Sequence, residues 1–240
     1  MTLTKVPISM SVINCQVESL TPLTDYVYKV LLKPDEVVDF LPGQYLNFVM
    51  SDEDKRPFSI ASKPGDELIE LQIGAFGEDS YAMQVIDRLK SAERVEIEMP
   101  FGQAHLRIES ERPILLLAGG TGFSYIKSMF EYLAAQNVQR PVIVYWGLRE
   151  PSACYELEKS FNTVSTLAHA SFIPVVEKPT EDWQGKVGLV HQVAMKDIVS
   201  LEPYDIYLAG RFDMVGLVRQ DFIEHGAIKE HMYADAFAFI

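Results

Sequence analysis

Before residue 110 the chain alternates apolar and polar residues in short runs, at Tyr26 to Leu32, Tyr45 to Met50, Leu68 to Ile73 and Arg94 to Glu98. A period of two places one face of a strand on a core and the other in water. Turn formers separate the runs, at Pro34-Asp35, Pro42-Gly43 and Pro64-Gly65-Asp66. The pattern predicts a small antiparallel β-barrel, interrupted by one helix at Ser80 to Leu89. After residue 110 the texture changes. Solid apolar runs at Ile114 to Ala118, Val142 to Trp146, Phe172 to Val176 and Ile206 to Ala209 alternate with helical patterns at Tyr125 to Ala135, Cys154 to Phe161, Leu189 to Val199 and Met214 to His225. Strands apolar on both faces, alternating with helices, predict a doubly wound parallel sheet of α/β class. The expected organisation is a β-barrel domain over 1–109 and an α/β domain over 110–240. The tail from Tyr233 to Ile240 carries aromatics at odd positions, which reads as a last core strand, with Phe237 either packed in it or touching a ligand.

Three segments interrupt these patterns with residues suited to ligands. Arg56-Pro57-Phe58-Ser59-Ile60-Ala61-Ser62 offers a fixed cation, a stiffened backbone and two hydroxyls around an apolar pair, an edge that can hydrogen-bond a flat heterocycle. By itself it also fits an edge strand opening at a proline. Gly119-Gly120-Thr121-Gly122-Phe123 breaks a buried strand just before a helix, where free amides and the helix N-terminus suit a pyrophosphate. It lacks the full dinucleotide fingerprint, and such a turn also serves close packing. Gly210-Arg211-Phe212 again joins strand to helix at the C-terminal edge of the expected sheet. Together the segments point to hydride transfer between a nicotinamide and a flavin.

Composition narrows the classes. The 240 residues carry a formal charge of -13 and no basic block, which argues against nucleic-acid binding. The first residues lack an export signal and no apolar run is long enough to span a bilayer, so no membrane insertion and a cytoplasmic protein are expected. Cys15 and Cys154 stand far apart without the spacing of an iron–sulfur cluster, and both read as buried apolar residues. The five histidines form no metal-spaced group, and no metal site is expected.

Phe40-Leu41-Pro42-Gly43-Gln44-Tyr45, Arg56-Pro57-Phe58-Ser59, Gly119-Gly120-Thr121-Gly122, Tyr145-Trp146-Gly147-Leu148-Arg149, Trp183 to Gly188 and Ala209-Gly210-Arg211-Phe212 resemble, in this order, the ferredoxin-NADP reductase superfamily. Ala118 to Tyr125 and the ending Asp235 to Ile240 are most similar to its bacterial NAD(P)H:flavin oxidoreductases. The resemblance implies that the antiparallel β-barrel is six-stranded and carries flavin, bound by Tyr45, Arg56, Pro57, Phe58, Ser59, Ile60, Ser62 and Phe237. It places NADH or NADPH on the second domain, at Gly119, Gly120, Thr121, Gly122, Phe123, Gly210, Arg211 and Phe212. Ser59 is the expected catalytic contact at the flavin's hydride-accepting nitrogen. Members that hold flavin tightly have a phosphate-gripping cation just after the strand ending here in Leu71-Gln72-Ile73, where this chain has Gly74 and Ala75. FMN, FAD and riboflavin are therefore expected as exchangeable acceptors, with reduced flavin passed transiently to a monooxygenase or luciferase, or to ferric iron. The competing readings are a tightly bound flavin serving a partner protein or ferric siderophore, and a non-catalytic nucleotide-binding regulator.

Overall fold

The structure, a computed structural model, describes residues 10–77 and 80–240. Six antiparallel strands form the N-terminal half: β1 (Ser11–Pro22), β2 (Val27–Pro34), β3 (Tyr45–Val49), β4 (Lys55–Ser59), β5 (Ile69–Gly74) and β6 (Arg94–Phe101). They lie in the order β4-β3-β6-β1-β2-β5. The sheet curls so that its edge strands meet, but the seam is a single bridge, Ile60 to Leu71, with Ala61 N donating to Glu70 O at 2.8 Å. The expected barrel is thus joined at one point, not laddered along its length. β1 was not foreseen as a strand. A bulge between Val17 and Ser19 shifts its alternation midway, which hides the period of two. The helix α1 (Tyr81–Ser91) begins as expected, its N-cap Ser80 accepting a hydrogen bond from Met83 N at 3.1 Å.

The C-terminal half is a parallel sheet of β7 (Ile114–Gly119), β8 (Val142–Leu148), β9 (Ala170–Val176), β10 (Lys186–Val187), β11 (Asp205–Ala209) and β12 (Met232–Tyr233), ordered β10-β9-β8-β7-β11-β12. The two-residue strands β10 and β12 are too short to leave a period in the sequence. Helices α2 (Phe123–Ala135), α3 (Leu157–Ser165), α4 (Val190–Asp197) and α5 (Phe212–Glu224) cover its faces over two apolar cores. α3 starts later than its apolar pattern suggests, because Pro151–Ala153 form a 3-10 turn and Glu156 takes a φ of 51°. The tail is not the strand its aromatics suggest. Only Met232–Tyr233 pair with β11, and Asp235–Ala238 turn as a 3-10 helix.

The chain builds outward from β7 through β8 to β10, then returns to β11 on the other side of β7. The order reverses between the C-terminal ends of β7 and β11, the place where sheets of this kind open a ligand crevice.

Candidate functional site

β4 is an edge strand, and Pro57 on it needs no ladder partner. Pairing of Tyr45 with Ser59, Asn47 with Pro57 and Tyr45 with Phe101 sets Ser59, Tyr45 and Phe101 along one face of three neighbouring strands. Tyr45 and Phe101 stack at 5.5 Å and 20°. The carboxylate of Asp235 reaches this wall from the tail, where the backbone N–H groups of Gln103 and Ala104 face it. A Cβ placed on Gly102 would lie 3.0 Å from it. Burial raises the pKa of the Asp235 carboxyl above its ordinary value, and burial together with Asp235 raises that of the Tyr45 phenol.

The opposite face of β4 is already engaged. Arg56, 4% exposed, donates from Nε and Nη2 to Asp54 at 2.9 and 2.6 Å, from Nη1 to Tyr81 O at 2.5 Å and from Nη2 to Gln84 Oε1 at 2.8 Å. The guanidinium also lies 3.9 Å from the centre of the Tyr81 ring, and it holds the Asp54 carboxyl below its usual range. Phe58 packs toward the barrel core. Ile60 and Ser62, both expected at the flavin, turn inward instead. Ile60 is fully buried and its N–H donates to Gln44 O at 3.1 Å; the Ser62 hydroxyl accepts from Glu70 N at 3.0 Å, stitching the seam. Ser59 remains half-buried, and its hydroxyl makes no hydrogen bond among the described residues.

The glycine turn is shaped by close approach. A Cβ on Gly122 would sit 2.6 Å from the carbonyl carbon of Ala209 and 2.8 Å from Gly210 N, so only glycine lets the ends of β7 and β11 meet. Cβ atoms on Gly119 or Gly210 would collide with Met214. Gly120 differs: its φ is 54°, and a Cβ there would meet nothing within 4 Å. Its backbone borders open space, as a phosphate cradle requires, and its carbonyl is fixed by Trp146 Nε1 at 2.9 Å. The Thr121 side chain reaches across to β5, 2.9 Å from where a Cβ on Gly74 would stand, so the turn touches the barrel where a cation was missing.

Phe123, expected at the nicotinamide, is instead fully buried and stacks on Trp146 at 4.1 Å, because the first turn of α2 faces the sheet. Phe237 is half-buried beneath Arg219, whose guanidinium lies 4.6 Å from its ring centre. That contact gives it a packing role against α5. Arg211 is exposed and paired with Asp213 at 3.0 Å, and exposed Phe212 stacks on Phe239 at 5.5 Å. Sequence reasoning missed Phe101, Asp235 and Trp146; the aspartate inside an otherwise apolar tail was the available sign. Burial pushes the Cys15 thiol up to about 12 and the half-buried Cys154 thiol up to about 11, so neither is a nucleophile at neutral pH. Among the described residues there is no group of three or more residues able to hold a metal, and no helix long and apolar enough to cross a membrane.

Residues 116–220 match the family model of the oxidoreductase NAD-binding domain. Over 235 residues, covering 95% of this chain and 99% of the relative in both cases, the chain is 46% identical to the NAD(P)H-flavin reductase of Vibrio harveyi and 44% identical to that of Aliivibrio fischeri. Among solved structures it superposes on the ferredoxin reductase in carbazole 1,9a-dioxygenase with a TM-score of 0.84 and 24% identity, covering 97% of this chain and 71% of that one. The FAD/NAD-binding domain of nitric oxide dioxygenase from Vibrio cholerae gives a TM-score of 0.80 at 19% identity, with 92% and 96% covered. These structural likenesses bear on the fold.

Proposed function

The chain belongs to the NAD(P)H-flavin reductases of the ferredoxin-NADP reductase superfamily, and on that premise we propose that it binds flavin as an exchangeable substrate and releases it reduced. The observation that carries this reading is the engagement of the cations beside the flavin loop. Arg56 is bound on all sides by Asp54, Tyr81 and Gln84, Lys55 is paired with Glu98 at 2.5 Å, and Lys63 is paired with Asp66. Gly74 adjoins Thr121 where tight binders carry a phosphate-gripping cation. The remaining flavin contacts are a hydroxyl, a flat aromatic wall and backbone, which recognise the ring system and not its phosphates.

The residues fit the two ligands. The open backbone at Gly120 accepts a pyrophosphate, and the face of Ser59, Tyr45 and Phe101 accepts a planar ring. Bound NAD(P)H supplies the hydride and bound flavin accepts it; the protein contributes position and electrostatics. Ser59, whose hydroxyl is free, would donate to the hydride-accepting nitrogen of a bound flavin and hold the ring in register, while the Arg56 network keeps that loop from shifting. Thr121, against Gly74, brings the nicotinamide side of the turn to the barrel. The reduced flavin then serves a monooxygenase, a luciferase or ferric iron as a diffusing reductant.

The test compares Michaelis constants for riboflavin, FMN and FAD at saturating nicotinamide and two salt concentrations. A charge-assisted phosphate contact is worth about 1.5 to 3 kcal/mol, so its absence should leave riboflavin and FMN within about threefold of each other. An FMN preference of roughly tenfold or more that fades with salt would reveal a phosphate clamp and overturn the reading.

A further inference from the structure

The face of α2 turned toward the barrel seam carries Ser124, Lys127, Ser128 and Glu131, the i, i+3, i+4 and i+7 positions where a packed helix normally shows apolar residues. Lys127 is 1% exposed and Ser128 is fully buried. The ammonium of Lys127 donates to Ala61 O at 3.2 Å and pairs with Glu70 at 3.3 Å and Glu131 at 3.0 Å, so its three protons have three acceptors. Ser128 Oγ donates to Ser62 O at 2.7 Å. Around this centre Lys29 pairs with Glu70 and Glu156, Gln72 donates to both glutamates, and Lys159 pairs with Glu131. Three lysines face three glutamates, and the cluster is neutral.

Stability does not explain such a stripe. Buried ion pairs lose hydration that their attraction barely restores, and apolar residues of similar volume commonly dock two surfaces as well or better. What apolar packing does not give is direction. Here the barrel-side acceptors include, beside Glu70, the carbonyls of Ala61 and Ser62, two and three residues beyond Ser59, while α2 itself starts at the glycine turn five residues before Lys127. One rigid turn and a half of helix therefore links the pyrophosphate cradle to the loop that presents the free hydroxyl.

We propose that Lys127, assisted by Ser128, is a positioning residue for hydride transfer: it fixes the flavin loop relative to the glycine turn and so sets how nicotinamide and flavin meet. The inference rests on the flavin-reductase reading. It adds a residue that touches neither ligand, through a contact of helix to strand end.

The test is single-turnover reduction of riboflavin by NADPH and NADH, with the binding of each ligand measured separately. Lys127→Met together with Glu131→Gln removes one charge of each sign and keeps the cluster neutral. A small displacement of reacting groups is expected to lower the hydride-transfer rate roughly tenfold to a hundredfold, with both dissociation constants within about twofold of the parent. The long-wavelength absorbance of the stacked nicotinamide–flavin pair should fall with it, and Lys127→Arg should restore the rate to within about threefold of the parent, since guanidinium can reach the same acceptors. Should the double variant fail to fold, Ser128→Ala decides: a threefold or greater fall in rate at unchanged affinity, of about the size one lost hydrogen bond gives, supports the role, and an unchanged rate overturns it. A double variant that transfers hydride within about twofold of the parent also overturns it, while leaving the function standing. A parent that fails to reduce any flavin would instead remove the reading beneath the proposal.

Discussion

The loop at the end of β4 and the turn after β7 are built by opposite means. The first is fixed by side chains: Arg56 gathers Asp54, Tyr81 and Gln84, and Ser62 ties Glu70. The second is fixed by their absence, since Gly122 lets the backbones of β7 and β11 touch and Gly120 leaves its amide bordering open space. The difference teaches that residue types suited to ligands can also be engaged by the scaffold. On the barrel side Arg56 and Ser62 hold the scaffold, and the Ser59 hydroxyl is left without a partner among the described residues. On the sheet side the missing side chains leave the space proposed for pyrophosphate.

The largest effect should come from filling the turn. Gly120→Val places a branched side chain at a φ of 54° and into the space proposed for pyrophosphate. Backbone strain of about 1 to 3 kcal/mol plus lost approach should weaken nicotinamide binding by roughly a hundredfold or more. Flavin affinity, read by fluorescence quenching, should be preserved; equal loss of both on a folded protein would mean the two regions are not separate sites.

Ser59→Ala sharpens the barrel side. Removing the free Ser59 hydroxyl should lower the flavin-reduction rate by about 1 to 3 kcal/mol, or roughly ten- to a hundredfold, with nicotinamide affinity nearly unchanged. The matching Ser62→Ala should act on thermal stability instead, because that hydroxyl holds the seam. If the two variants showed the same kinetic profile, the distinction between free and engaged hydroxyls would collapse.

How far this was legible follows from particular residues. The alternating and solid apolar runs announced both sheets, because burial on one face or two is a local pattern. β1 escaped because its bulge breaks the period, and α3 was misplaced because a 3-10 turn and the left-handed Glu156 delay it. The glycine turns were legible as punctuation. The inward turn of Ile60 and Ser62 was not, since it depends on which neighbouring strand the chain meets, and neither was the burial of Phe123 against Trp146. Asp235 closes on Gly102 and Tyr45 only through tertiary structure.

The smallest effect concerns acid. Burial alone would raise the Glu156 carboxyl, but the Lys29 hydrogen bond, with Lys127, Lys29 and Lys159 nearby, holds it below its ordinary value of 4.5. With the folded value depressed, its stabilisation is complete above that ordinary value and is lost as pH falls through the folded one, where the unfolded chain binds the extra proton. Glu156→Gln should therefore flatten the acid limb of thermal midpoint against pH by on the order of a few °C. The barrel side, held by charge, should loosen on that limb, while the glycine turn, which carries none, should not. An acid limb identical in parent and variant would show that Glu156 does not contribute to the junction.

The reach of Asp235 also orders events in time. Tyr45 and its ladder partners are made early in synthesis, yet the carboxylate that completes their wall belongs to a segment synthesised almost a whole chain later. Contacts so distant in sequence form late and close the largest loops. The antiparallel sheet can assemble while the face proposed for flavin is still incomplete. On the proposed reading, capture of flavin then requires the chain through Asp235 to be made and docked, and a chain short of that residue would hold no reactive reduced flavin.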